Sequence, residues 1–363
     1  MFRHRSGPIN DRIHKQRSGL LCLGALREVV VIGLAVGLVM GALWQSSLII
    51  PLNSASPHEA GRNHQNEPVQ SLAINRDQET LVFHAWPVDL CELSLETGEV
   101  TRRKTPQNLV AVATSERNST SVMLAEWCEA HQVHHCAYIV RRSEIVLSEE
   151  FIFESEASAA ILVSADGSIA MVIGHAGRAI GWDLSESETS RWEFKTCQSS
   201  TVSRLAPNGR DLFIAAENGT SFICDSRTGD VKKSFLEIEG RCRSAAWSGD
   251  GRHFAFGDER GGLHVFDTAS GKRIWYGQLE EGMARALAFS NDGNLLAAGG
   301  FDKVNWVWNF RSPTLPPRKL LGQKGVVSSL VFTSSDETLI SGSYDGAIRE
   351  WSLADGERVR QLR

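Results

Sequence analysis

Apolar residues are distributed in three different ways along this chain of 363 residues. Residues 29–50, VVVIGLAVGLVMGALWQSSLII, form one unbroken run without a charge. Residues 51–68, PLNSASPHEAGRNHQNEP, show no apolar period and are rich in proline, serine and asparagine, the composition of a flexible linker. From Val69 onward the apolar residues come in short runs with a period of two, as in ALAFS, NLLAAGG and NWVWNF, each bounded by Asp, Asn, Gly or Ser. A period of two puts alternate side chains on opposite faces of a strand, so this region is expected to form short strands joined by hairpins.

The first run is long enough to cross a bilayer. At about 1.5 Å per residue, a helix over residues 29–50 spans roughly 30 Å of hydrocarbon. A buried core helix of this length usually keeps a polar face. A cleaved signal peptide is the closer competitor, but its apolar region is normally shorter, and the small-residue site at Ser54 to Ser56 is followed by Pro57. The expectation is an uncleaved anchor. Arg3, Arg5, Arg12, Lys15, Arg17 and Arg27 precede the run, whereas Arg62 is the lone Lys or Arg in residues 51–70. That asymmetry keeps residues 1–28 in the cytoplasm as a basic tail and places the rest of the chain outside it. Gly33, Gly37 and Gly41 share one helical face, an arrangement that lets two helices approach closely and suggests a homodimer.

The third region repeats itself. A short apolar run ends in a turn at Asp166, Asn208, Asp250 and Asp292, each 42 residues after the last, with Asp336 following 44 later. Sixteen residues after the first four turns come Trp182, Cys224, Phe266 and Trp308, and fifteen after the fifth comes Trp351. Asp77 and Leu93 fit the same spacing, and the interval before Asp166 has room for one longer unit containing NLVAVAT, SVMLAE and CAYIV. This makes seven units over residues 69–363. A four-stranded sheet of this size leaves two faces to bury, and stacking seven of them around an axis covers those faces.

The stretches SGSYDGAIREWSLADGE and FSNDGNLLAAGGFDKVNWVWN resemble the WD40 repeat signature. The resemblance is strong over units five to seven and loose over units one to four. It implies an all-β fold, a seven-bladed WD40-like β-propeller of four-stranded antiparallel blades, here preceded by one transmembrane α-helix. The family hallmark is a hydrogen-bonded set of a His, a Ser or Thr, a turn Asp and a Trp, and it maps the Asp to Asp345 and the aromatic to Trp351, with Asp302 and Trp308 in the unit before. The histidine place holds Gln323, so the set is incomplete by type. These residues are expected to be structural: the carboxylates hold turns and the aromatics pack between sheets. The position after the turn acid holds Gly177, Gly219, Gly261, Lys303 and Gly346, which suits a positive φ in four of five cases. WD40 rings usually close by borrowing an N-terminal strand, but nothing before Val69 resembles one, whereas ERVRQLR could complete the last sheet itself.

Charge and motifs narrow the chemistry. A net charge of -5 offers no general affinity for nucleic acid. Nucleotide-binding glycine motifs, HExxH and the G-x-S-x-G turn are absent, and the expected first strands contain no Asp, Glu or His, so no enzyme and no cofactor is expected. In the longer second unit, Cys128, His131, His134 and Cys136 fall close together, in what is expected to be a hairpin loop. Their spacing leaves open a Cys128–Cys136 disulfide, unpaired thiols, or a metal site. Arg243 and Arg285 each lie seven residues before their turn Asp, so they should enter neighbouring first strands at one height, with Arg241 nearby. There they could hold an anion or a partner, or pair with Glu280 and Glu281.

The expected function is a membrane-anchored protein-interaction scaffold outside the cytoplasm, with unidentified protein partners and a bilayer contact through residues 29–50. The alternative is a ligand or metal sensor using the Cys128–Cys136 loop or the Arg243/Arg285 patch.

Overall fold

A computed structural model describes residues 69–362, apart from short connecting segments between residues 76 and 239. The basic tail, the apolar run, the linker and the glycine face of Gly33, Gly37 and Gly41 lie outside the described residues. Among the described residues, no helix is long and apolar enough to cross a membrane.

The described residues form seven four-stranded sheets, each antiparallel and each built from four consecutive strands in chain order. Sheets 1 to 7 cover residues 69–103, 109–152, 160–195, 200–235, 242–278, 284–320 and 327–361. The first strands lie in succession side by side: Val69–Asn75 touches Leu109–Thr114, and the sequence of contacts continues to Val327–Phe332, which returns to Val69–Asn75. The seven sheets therefore close a ring, as the repeat predicts.

Apolar alternation places the core between sheets. Val122, Leu124 and Ile139 of sheet 2 bury against Val172, Ile180 and Trp182 of sheet 3, and Phe213 of sheet 4 against Phe254 and Phe256 of sheet 5. The spacing landmarks are structurally equivalent, because Trp182, Cys224, Phe266, Trp308 and Trp351 pair with Ala170, Leu212, Phe254, Leu296 and Leu339 at one register position of each third strand. All five are buried.

The ring closes without an exchanged strand. Arg358–Gln361 pairs with Ile348–Ser352 and completes sheet 7 from its own residues. Leu81, Phe83 and Leu93 of sheet 1 then pack on Ile340 and Ile348 of sheet 7, and Arg360 Nη2 donates to the Leu95 carbonyl at 2.8 Å. Side-chain packing thus replaces the covalent continuity that a borrowed strand supplies.

The repeated turn has a repeated chemistry. Ser164, Ser248 and Ser290 donate through Oγ to Asp166, Asp250 and Asp292 at 2.6, 2.7 and 2.6 Å. Each carboxylate then accepts the backbone N–H two residues on, at 3.0 Å in every case. Burial pushes these carboxyl groups up, but the hydrogen bonds outweigh it and hold all three below the usual range. In sheet 7 the turn acid is displaced. Asp336 has φ 57° and accepts from Asn291 N and Asp292 N of sheet 6 at 2.8 and 3.0 Å, which fastens one turn to its neighbour.

Candidate functional site

The acid and the tryptophan of the last unit belong to one buried network whose centre is Ser341. Its hydroxyl receives the Trp351 indole N–H at 2.7 Å and the Gln323 amide, while Arg349 donates to both the Gln323 amide oxygen and Asp345. Asp345 also accepts from Ala347 N at 3.0 Å and Lys324 N at 3.1 Å. Burial raises its pKa, but the Ala347 N–H and the Arg349 guanidinium more than offset that and leave it lowered. Gln323 fills the histidine place, and Arg349 carries the connection on to the acid. Arg349, which the sequence reading passed over, is what makes the set continuous.

The neighbouring sheets solve the same problem differently. In sheet 6 Asp302 accepts the indole N–H of Trp306 at 2.6 Å, not that of Trp308, which stacks on Trp306 with ring centroids 5.6 Å apart. Burial is the dominant influence on Asp302 and leaves its carboxyl above the ordinary value. In sheet 5 the acid has moved two positions earlier: Asp258 accepts from Arg260 N, Gly262 N and the buried His264 imidazole, at 2.8, 2.8 and 3.0 Å. Burial again pushes upward, yet these three donors hold Asp258 low. The positions after the turn acid all have positive φ, including Lys303 at 61°.

In six of the seven sheets the pairing of the first two strands slips by one residue near the start of the first strand. A bulge of this kind re-aims the extra side chain. Arg243 and Arg285 are those extra residues in sheets 5 and 6, so the equal height inferred from spacing holds. Their partners differ from expectation. Arg243 pairs with Glu259 at 3.1 Å, Glu280 pairs with Lys319 at 2.5 Å, and the Arg285 guanidinium lies 5.4 Å from the centre of the Tyr344 ring. Arg243 and Arg285 therefore differ in their immediate neighbours, a carboxylate for one and an aromatic ring for the other. Arg241 is exposed beside them.

The first strands surround a central cavity of about 420 Å³. Its lining among the described residues contains Arg204, Arg285, hydroxyl groups and aliphatic side chains, and no Asp, Glu or His.

Residues 273–309 and 315–352 match the family model described as WD domain, G-beta repeat. The chain carries WD40 repeats. The matched segments are the last strand of sheet 5, sheet 6 and the first three strands of sheet 7, the part of the ring that holds the Asp302 and Asp345 networks. The serine-threonine kinase receptor-associated protein of Homo sapiens is 24% identical over 160 residues, 44% of this chain and 45% of that protein. Protein ROOT INITIATION DEFECTIVE 3 of Arabidopsis thaliana is 41% identical over 69 residues, 19% of this chain and 16% of its own length. WD repeat-containing protein 1 of Mus musculus is 26% identical over 158 residues, 42% of this chain and 26% of the relative. The chain spans less than half the length of these curated relatives.

Outside the matched WD40 repeats, the Cys/His segment departs from its expected form. Strands Thr120–Glu129 and Gln132–Arg141 run straight through it, so it is a long hairpin and not a loop. In its register Cys136 faces Ala125 and Cys128 faces Val133. Three positions of offset separate the two cysteine backbones by about 10 Å along the strand, beyond the ~7 Å limit for a bridge. The Cys128–Cys136 disulfide is therefore excluded in this register. Cys136 is a buried free thiol within 3.4 Å of Ser148 Oγ. His134 faces Trp127, and His135 stacks on Phe151 at 5.8 Å and lies 3.4 Å from Glu126. His131 lies outside the described residues, and among the described residues no group of three His, Cys, Asp or Glu is placed to hold a metal.

Proposed function

We propose that the chain is a protein-interaction scaffold tethered to a membrane by residues 29–50, with its propeller outside the cytoplasm. The observation that carries the scaffold reading is the closed ring of seven sheets bearing WD40 repeats, a rigid body that presents loops at a fixed spacing. The uncharged run and its basic N-terminal flank support the tether and its direction. The human relative is named for association with a receptor, which agrees with a role in binding other proteins.

Strand direction selects the binding end. Within each sheet the turn between the second and third strands and the connection to the next sheet lie at one end of the ring. At that end Phe301 and Leu321 are 43% and 64% exposed, beside Lys303, Lys324 and Arg241. Exposed apolar side chains rimmed by cations suit a partner segment with acidic and apolar residues. A photo-crosslinking residue at position 301 or 321, in intact membranes, should capture the same protein, and Phe301→Asp should lose it. Capture from the opposite end alone, through position 251, would move the site. An impermeant amine reagent on intact cells should label Lys303 and Lys324; labelling only after lysis would reverse the topology. Gly37→Leu should reduce dimer formation in the membrane if the glycine face pairs.

A further inference from the structure

Arg204 has no counterpart in the other sheets. The strand Ser200–Leu205 is buried at its first four positions and half-buried at its last, but it exposes Arg204, and that side chain lines the central cavity. Register puts it level with Ala73, Ala113, Leu162, Ala246, Ala288 and Val331 of the six other first strands, all apolar and mostly alanine. Small neighbours at this depth leave space around one long cation.

Among the described residues its charge has no carboxylate counter-ion. Arg204 Nε donates to the Ala245 carbonyl at 3.0 Å and Nη1 to the Ser203 carbonyl at 2.9 Å, which leaves the Nη2 edge with donors to spare. The group is ringed by protein although water can reach it. Burial pulls its pKa below the ordinary value, opposed by the nearby Cys242 thiol and by no carboxylate. A guanidinium remains protonated under these conditions, so the charge stays available to an anion. The cavity lining includes aliphatic side chains, among them Val112, Ile161, Leu330 and Val331, together with hydroxyl groups, and the volume falls in the usual range of small-ligand sites, about 300–1,000 Å³. Arg285, nearer the start of its strand and also on the lining, adds positive potential along the approach.

We propose that the central channel binds a small organic anion, a carboxylate or a phosphate monoester, with its oxyanion on the free edge of Arg204 and its apolar part against the aliphatic wall. This site is separate from the rim assigned to protein partners, so either can fail without the other. The test is calorimetric titration of the full-length chain with hexanoate and with hexyl phosphate, using hexanol as the neutral control. Both anions should bind more tightly than hexanol, the better of them identifying the headgroup class, and affinity should fall as salt rises. Arg204→Met should weaken anion binding at least tenfold, and Arg204→Lys should retain part of it. Ala246→Asp, which supplies a carboxylate at the same depth, should abolish anion binding while leaving the fold intact, and it keeps the test decisive if Arg204→Met does not fold. Equal binding of hexanol and the anions, unchanged affinity in the variants, or no anion binding at millimolar concentration would each overturn the proposal.

Discussion

Sheets 1 and 2 and sheets 5 to 7 share a strand order and a register but not their polar chemistry. In sheet 1 the landmark position holds Leu93 opposite Leu81, and in sheet 2 it holds Val140 opposite Ser121, an aliphatic residue in each third strand where sheets 5 to 7 carry an aromatic one. In sheets 5 to 7 an acid beside the second turn is tied to a His, a Trp, or a Gln–Arg pair. The family model matches where the acids of sheets 6 and 7, Asp302 and Asp345, stand, and the ring extends well beyond the match. The architecture thus follows from alternating apolar runs and turn chemistry, while the polar networks reinforce particular sheets and give them their recognisable signature.

The largest expected effect comes from removing an apolar strut. Trp351→Ala should cost about 3–5 kcal/mol and Leu93→Ala about 2–5 kcal/mol by urea unfolding, one with a polar partner and one without. Similar losses would show that burial dominates in both kinds of sheet. Ser341→Ala keeps the tryptophan but strands its indole and the Gln323 amide, and should cost about 1–3 kcal/mol. A loss equal to that of Trp351→Ala would make the network the main support and break the comparison.

Two acids of the signature should respond to pH in opposite senses. Asp258 has a folded pKa below its unfolded one, so its contribution is present above the unfolded value and is lost as pH falls through the folded value. Asp302 has a raised folded pKa, so it penalises folding above that value and the penalty disappears as pH falls through it. Urea midpoints measured from neutral to acid pH should therefore show Asp258→Asn removing an acid-side loss of stability and Asp302→Asn removing a neutral-side penalty. Parallel shifts would contradict the assigned environments. The smallest effect concerns the turn itself: Lys303→Gly should stabilise by about 0.5–1 kcal/mol, because a side chain at positive φ is strained where the equivalent positions hold glycine.

The sequence pattern was legible wherever one residue type has one structural use. Period-two runs gave the first strands, Asp166, Asn208, Asp250 and Asp292 marked the turns, and the residues after Trp351 completed sheet 7. Long-range partnerships were not legible. Gln323 looked like a gap because Arg349, which bridges it to Asp345, is an ordinary strand residue by type. Arg243 and Arg285 were placed at the right height, but the choice of Glu259 and Tyr344 as neighbours depends on the bulge and the following turns. The choice among the alternatives left open for Cys128 and Cys136 depended on the hairpin register, which sets their offset and shows only in the pairing of Ala125 with Cys136. Arg204 carried no motif; its isolation is a property of the six other strands around it.

Closure of the ring by packing of sheet 1 on sheet 7 is the claim on which the channel and both binding sites depend. Spin labels introduced as unnatural amino acids at Glu96 and Arg358, both exposed and on either side of that seam, report it through their mutual distance. A single narrow distribution at short distance is the predicted result, whereas a broad distribution reaching long distances under native conditions would contradict a closed seven-sheet ring.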